Sequence, residues 1–214
     1  MSKQLNFAQQ MDEVLKTLTP ARPKLLLHAC CGPCSSAVLE QLLAHFEVTI
    51  LYYNPNIWPA AEYRRRGDEL ERFAAAFAPA VQVVEGEYDT GRYYETVAGL
   101  EAEPERGGRC TVCYRMRMEE AARYAAVHGF DWFCTTLSIS PHKDAARINA
   151  IGQELEAQYG VRHLPNDFKK KNGYKRSLEL SAEYGLYRQD YCGCEFSARR
   201  AAKEGTPDGP AGTV

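Results

Sequence analysis

The run KLLLHA at residues 24–29 breaks without a linker into CCGPCSS at residues 30–36, and this junction limits the folds open to the chain. A short, continuously apolar run bounded by a turn reads as a strand buried on both faces, as in a parallel sheet. The Gly and Pro that follow supply the turn, and Pro with Ser opens a helix expected to reach about residue 44. The unit then recurs. A second strand is expected at residues 47–53, ending in the turn signal of Asn54, Pro55 and Asn56. A charged helix over 60–77 precedes a strand at 81–84. A helix over 110–126 precedes a strand at 131–136, and one over 143–159 leads to a short strand at 161–164. An amphipathic helix at residues 7–18 comes first. Strands alternating with helices make the fold class α/β, a mainly parallel sheet with helices on both faces.

Right-handed crossovers put the loops after each strand at one edge of such a sheet, where ligands bind. The segments CCGPCSS, NPNIWP and TTLSISPHKD follow the first, second and fourth strands, so they are expected at the same end. Residues 1–203 read as one domain, with 166–203, rich in Lys, Gly, Tyr and Arg, forming a C-terminal cap of short helices. Residues 204–214 (EGTPDGPAGTV) have the composition of a disordered tail.

The chain carries 8 cysteines in 214 residues, and their meaning depends on compartment. No apolar run approaches the ~20 residues of a membrane span. The N-terminal MSKQLNFAQQMDEVLKTL lacks the apolar core of a secretory signal. A cytoplasmic protein with no membrane partner is therefore expected. The cytosol keeps thiols reduced, and a chain of this length buries a core without staples. Clustered cysteines then point to metal or redox chemistry, not to disulfides. The formal net charge of −2 argues against nonspecific coating of nucleic acid, but allows a local basic patch for a structured RNA.

Seven cysteines fall in tight groups: Cys30, Cys31 and Cys34; Cys110 and Cys113; Cys192 and Cys194. Two CxxC pairs give the four thiolates of a tetrahedral zinc site or a [4Fe–4S] cluster. Cys34 and Cys110 sit where helices are expected to begin, and helix N-termini stabilise thiolates. Adjacent Cys30 and Cys31 point apart if the backbone is extended. One division therefore gives Cys31, Cys34, Cys110 and Cys113 to a cluster and Cys30, Cys192 and Cys194 to a second metal ion with an open position. The division can be permuted. A structural zinc site is the plainer alternative, and a thioredoxin-like dithiol leaves the remaining groups without a role. Cys134, inside an apolar strand, reads as a small buried hydrophobe, and His28 as a core histidine.

The segments HACCGPCS (28–35), YYNPNIWPAAEYRRR (52–66), RCTVCYRMRM (109–118), TTLSISPHKD (135–144) and NDFKKKNGYKRSLELSAEYGLYRQDYCGCEFS (166–197) resemble the QueH family, the cobalamin-independent epoxyqueuosine reductases. The resemblance runs from Lys24 to Ala201. It implies an oxidoreductase for the last step of queuosine biosynthesis, reducing the epoxide of epoxyqueuosine at the tRNA wobble position. It also implies a [4Fe–4S] cluster with an adjacent iron ion, on an adenine nucleotide α-hydrolase-like (HUP-like) core. Pyrophosphatases of that fold group carry an SGGxDS loop where this chain has CCGPCSS, so ATP chemistry is not expected. The rivals are a zinc-stabilised, non-catalytic RNA-binding module and an iron–sulfur-dependent tRNA sulfur-transfer enzyme. The latter would need a nucleotide-activating loop.

Epoxide reduction needs an external electron donor, for which ferredoxin or flavodoxin is suited, and a proton source. His142 and Asp144, after the fourth strand, and Tyr191, beside a cysteine pair, are the candidates. Their plainer roles are helix capping, a carboxylate favoured by the helix dipole, and solvent shielding. For tRNA, Arg64 and the stretch Lys169, Lys170, Lys171, Tyr174 and Arg176 combine charge with a ring for stacking, although charge runs are more often solvated faces. Asn54, Asn56, Arg188 and Gln189 are candidate hydrogen-bond partners for the nucleoside or a phosphate.

Overall fold

A computed structural model of the chain describes residues 6–18 and 22–204. The tail expected from residue 204 onward therefore lies, except for Glu204, outside the described residues. Five strands, β1 (Lys24–His28), β2 (Glu47–Tyr52), β3 (Gln82–Glu85), β4 (Trp132–Thr135) and β5 (Arg162–His163), form one sheet in the order β3-β2-β1-β4-β5. Every pairing is parallel, as the buried, turn-bounded runs required. The helices are α1 (Phe7–Thr17), α2 (Gly32–Leu42), α3 (Ala60–Phe77), α4 (Thr90–Thr96), α5 (Gly108–Val127), α6 (Ala145–Tyr159), α7 (Gly173–Glu183) and α8 (Glu195–Glu204), with a 3₁₀ turn at Thr136–Ile139.

Side-chain alternation along the strands divides the core in two. Leu25, Leu27, Ile50, Tyr52, Trp132 and Cys134 face α1, α2 and α3. Leu26, Leu51 and Phe133 face α5 and α6, meeting Met118, Ala121, Ile148 and Leu155. Each fully buried leucine is worth about 1.5–3 kcal/mol, which is why the strands are so continuously apolar. Cys134 is one of these core residues, and burial alone raises its thiol pKa. Sequence reading missed α4. Its TGRYYET has no apolar period, but Asp89 caps it by accepting from Arg92 N at 3.1 Å, and Tyr93 and Val97 are buried.

The strand order places a topological switch at β1. The chain winds outward through β2 and β3, then returns to β4 on the other side of β1, and such a reversal opens a crevice at the carboxyl ends of the strands. The strand ends are tied together there. Ala29 N donates to Leu51 O at 3.0 Å. His28 Nε2 lies 3.1 Å from Tyr53 O, and Nδ1 lies 2.8 Å from Thr135 Oγ1. A carbonyl only accepts, so Nε2 carries the proton and Nδ1 accepts from the threonine. Burial, with Arg117 adding to it, lowers the His28 pKa to about 4. His28 is a satisfied, neutral core histidine.

Candidate metal centre and substrate cleft

At Cys30 the backbone bends out of β1, and Cys31 becomes the N-cap of α2 with Pro33 in the first turn. The Cys31 sulfur accepts from Cys34 N at 3.4 Å, so the helix start holds both residues. The sulfurs of Cys30, Cys31 and Cys34 all lie within 4.8 Å of one another, with Cys30 and Cys31 3.8 Å apart. The expectation that adjacent cysteines diverge fails here because the chain is bending between strand and helix. Tetrahedral thiolates at 2.3 Å from one metal are about 3.8 Å apart, so the Cys30–Cys31 pair already has that spacing and the triplet is close enough to converge on a single ion. Hydrogen bonds to Cys31 and Cys34 hold the Cys30 pKa well below the usual thiol range, aided by Lys143 and Arg117. Burial, with Cys30 beside it, pushes Cys31 up to about 12.

The other four sulfurs come from α5 and the segment before α8. Cys113 and Cys194 pack with Tyr93, Val97 and Met116, so the unexpected α4 walls this group. Burial, followed by the nearby charges of Cys192 and Cys194, raises Cys110. Cys113 is pushed up to about 12, with burial again the main cause. All eight cysteines are free thiols.

Buried cations serve both groups. Arg66 and Arg117 are each 1% exposed, and Nη2 of each has no hydrogen-bond partner. Arg66 Nε donates to Glu62 at 2.7 Å and Nη1 to Cys192 O at 3.3 Å. Arg117 donates from Nε to Cys113 O and from Nη1 to Asn54 Oδ1, both at 3.3 Å. Burying guanidinium groups costs several kcal/mol unless anions face them. Burial opposes the charge on Arg117, but the sulfurs of Cys113, Cys192 and Cys30 outweigh it. Lys143 is held charged in the same way by Cys192, Cys30 and Cys34. Sulfurs framed by fixed cations suit an anionic, thiolate-ligated centre, so these residues fit a metal.

Between the two sulfur groups opens a cleft of about 650 Å³, lined by Cys30, Cys34, Cys192, Arg106, His142, Lys143, Tyr174, Arg188, Gln189 and Tyr191 among others. Nucleoside-sized ligands occupy clefts of this order. Tyr191 Oη donates to Trp58 O at 2.9 Å, and Trp58 N donates to Gly193 O at 2.8 Å. Gly193 has φ 112°, and a Cβ there would meet Arg66 Nη1 at 2.8 Å. The residue between Cys192 and Cys194 must therefore be glycine.

The family model described as Epoxyqueuosine reductase QueH matches residues 25–200. The chain belongs to the epoxyqueuosine reductase QueH family. Relatives bearing that name include a protein of Streptococcus pyogenes serotype M1, 40% identical over 92% of this chain and 80% of its own length. Another from Haemophilus influenzae is 43% identical over 84% of this chain and 74% of its own length. One from Thermotoga maritima is 35% identical over 81% and 89%. Among solved structures, the U34-tRNA thiolase NcsA from Methanococcus maripaludis with its [4Fe-4S] cluster is a distant likeness. It has a TM-score of 0.47 and 12% identity over 91% of this chain and 71% of that one.

In this QueH-family chain, the residues singled out from sequence separate into three sets. His142, Tyr174, Arg188, Gln189 and Tyr191 line the cleft together with Cys30, Cys34 and Cys192. His142 Nδ1 lies 3.1 Å from Arg106 Nη2. A guanidinium only donates, so Nε2 carries the proton of the neutral ring. Tyr191 already gives its proton to Trp58 O, and burial pushes its pKa up to about 12. A second set is near but turned to structural work. Asp144 is outside the cleft lining and caps α6, accepting from Ala146 N at 2.9 Å and Arg147 N at 3.2 Å. Asn54 is buried between Ala29 O and Arg117, and Asn56 is buried with both amide atoms unpartnered.

The third set, the basic stretch, lies outside the cleft lining. Lys169 pairs with Asp167 at 2.5 Å, Lys171 with Asp12, and Arg176 with Glu40 at 2.7 Å. Lys170 and Arg64 are exposed. Consecutive residues on a helix point about 100° apart, so the run Arg64, Arg65, Arg66 does not form one patch. Arg65 stacks 3.3 Å over Tyr187, and Arg66 enters the core. Sequence reading took Arg66 as part of an RNA-binding basic run, which its burial contradicts, and missed Arg117, Arg106 and Lys143. Their one available signal was adjacency to cysteine or histidine motifs. Among the described residues no helix is long and apolar enough to cross a membrane.

Proposed function

We propose that this chain reduces the epoxide of epoxyqueuosine in tRNA to the alkene of queuosine, within the cleft between the two cysteine groups. The observation that carries this reading is the triplet of sulfurs, Cys30, Cys31 and Cys34, gathered to single-ion spacing beside a nucleoside-sized cleft. Epoxide-to-alkene reduction consumes two electrons and two protons and releases water. An iron–sulfur cluster and an adjacent iron, held by the seven clustered cysteines, would supply the electrons and a Lewis-acidic position. The spacing supports Cys30, Cys31 and Cys34 as ligands of the single iron. Cys110, Cys113, Cys192 and Cys194, brought together from α5 and the segment before α8, suit the larger cluster. This replaces the division drawn from the sequence.

The chain's own residues handle charge, protons and position. His142 lines the cleft with Nδ1 turned to Arg106, so its Nε2–H can donate a hydrogen bond to the epoxide oxygen, and it is the preferred group for proton delivery over Tyr191 and Asp144. The Lys143 ammonium stabilises negative charge that develops on the departing oxygen. Tyr174 offers a face for a base, with the Arg188 guanidinium 5.8 Å from its ring. Exposed Arg64 and Lys170 would meet phosphates of the tRNA. A one-electron carrier of the ferredoxin or flavodoxin type serves as donor in the cytoplasm.

Anaerobic purification followed by iron and sulfide analysis, then incubation with epoxyqueuosine-containing tRNA and a reductant, tests this directly. Acid-labile sulfide with about four or five irons per chain and formation of queuosine are expected. Zinc without sulfide, or iron-loaded protein that leaves the epoxide intact, overturns it.

A further inference from the structure

Gln189 lines the cleft and divides its amide between two environments. Nε2 lies 3.2 Å from the Cys31 sulfur, whereas Oε1 is buried with no hydrogen-bond partner. The orientation follows from chemistry. An ionised or metal-bound sulfur has no proton to give, so the N–H end must face it and the carbonyl end is left over. A buried acceptor without a donor is costly, and among the described groups lining the cleft none supplies one. The preceding residue is committed elsewhere: Arg188 Nη1 donates to Ser181 Oγ at 3.0 Å and Ser177 O at 3.3 Å.

We infer that Gln189 is a specificity residue that reads a hydroxyl or N–H donor of the modified nucleoside with Oε1, while the Cys31 sulfur orients the amide through Nε2. The inference rests on the reading under Proposed function and adds the recognition element to it. A site built to hydrogen-bond one substrate group rejects analogues lacking it far better than an apolar pocket does. The ligand group is a neutral donor. A phosphate or carboxylate oxygen placed there would face another acceptor. Because one side chain touches both the metal-ligating sulfur and the substrate, the correct nucleoside is registered against the centre that acts on it.

The test compares iron-loaded wild type with Gln189→Met and Gln189→Glu, binding the same tRNA with either epoxyqueuosine or guanosine at the wobble position. Wild type is expected to favour the modified tRNA. Gln189→Met should lose about tenfold of that preference, with unmodified tRNA binding and iron content unchanged. Gln189→Glu keeps an acceptor but sets a carboxylate oxygen against the Cys31 sulfur, so it should retain part of the preference while altering the optical spectrum through that contact. Full preference in Gln189→Met overturns the inference. So does an equal loss for both tRNAs, or loss of iron, either of which makes Gln189 a purely structural prop. Absence of preference in wild type itself removes the parent reading instead.

Discussion

Arg117 Nη1 lies 3.3 Å from Asn54 Oδ1, and the other end of the same amide donates to Ala29 O at 2.8 Å. A single buried side chain thus couples a cation on α5 to the residue that precedes Cys30. This explains why the turn after β2 carries an asparagine that never reaches the cleft. Asn54→Ala strands a guanidinium N–H and a carbonyl, both buried. A loss of about 2–4 kcal/mol is expected, measured by urea unfolding at matched metal content. A change under about 0.5 kcal/mol would mean that neither group depends on Asn54.

The two sulfur groups should separate in their metal content. Cys34→Ala is expected to lower iron by one per chain and leave acid-labile sulfide in place. Cys113→Ala should remove sulfide and the broad absorbance of a cluster. Loss of sulfide from both variants alike would show that the groups share one cluster.

His142→Gln should cut turnover by roughly 10²–10⁴-fold, the usual worth of a positioned acid. Iron, sulfide and tRNA affinity should be unaffected. Turnover within a factor of about three of wild type would move the proton source to another cleft group, with Lys143 the next to test.

Tyr174 and Lys171 distinguish the cleft from the outer basic stretch. Base stacking is worth about 1–3 kcal/mol per base, so Tyr174→Ala should weaken tRNA binding by roughly tenfold or more. Lys171, already paired with Asp12 outside the cleft lining, should change it by less than about twofold on replacement by Ala. The reverse order would place the tRNA across α7 and α1.

Stability should fall in mild acid because of His163. Its imidazole is 3% exposed, and neither ring nitrogen has a partner. Burial lowers its pKa to about 3. The folded value lies below the ordinary 6.5, so the unfolded chain binds more protons between those limits. The contribution is whole above pH 6.5 and is lost as pH falls toward 3, at up to about 1.4 kcal/mol per pH unit. His28, lowered to about 4, acts in the same sense. His163→Leu should therefore flatten the decline between pH 6.5 and 5 without abolishing it. An unchanged slope in urea midpoints would refute the assignment.

The α/β class, the five strands and the convergence of loops after β1, β2 and β4 were legible in the sequence. They follow from local periodicity and from the handedness of parallel crossovers, which act along the chain. A metal site among the cysteines was legible as well, since CxxC spacing is a local geometric property, and the Cys30, Cys31 and Cys34 group fits one. How the sulfurs group was not, because it depends on the bend at Cys30 and on which face of α5 meets the segment at Cys192 to Cys194. Nor was the inward turn of Arg66 beside outward Arg64, or the choice of His142 for the cleft and Asp144 for a helix cap only two residues later. Those outcomes are set by helix phase and by what packs opposite each side chain. Distant segments decide them only once the sheet has brought them together.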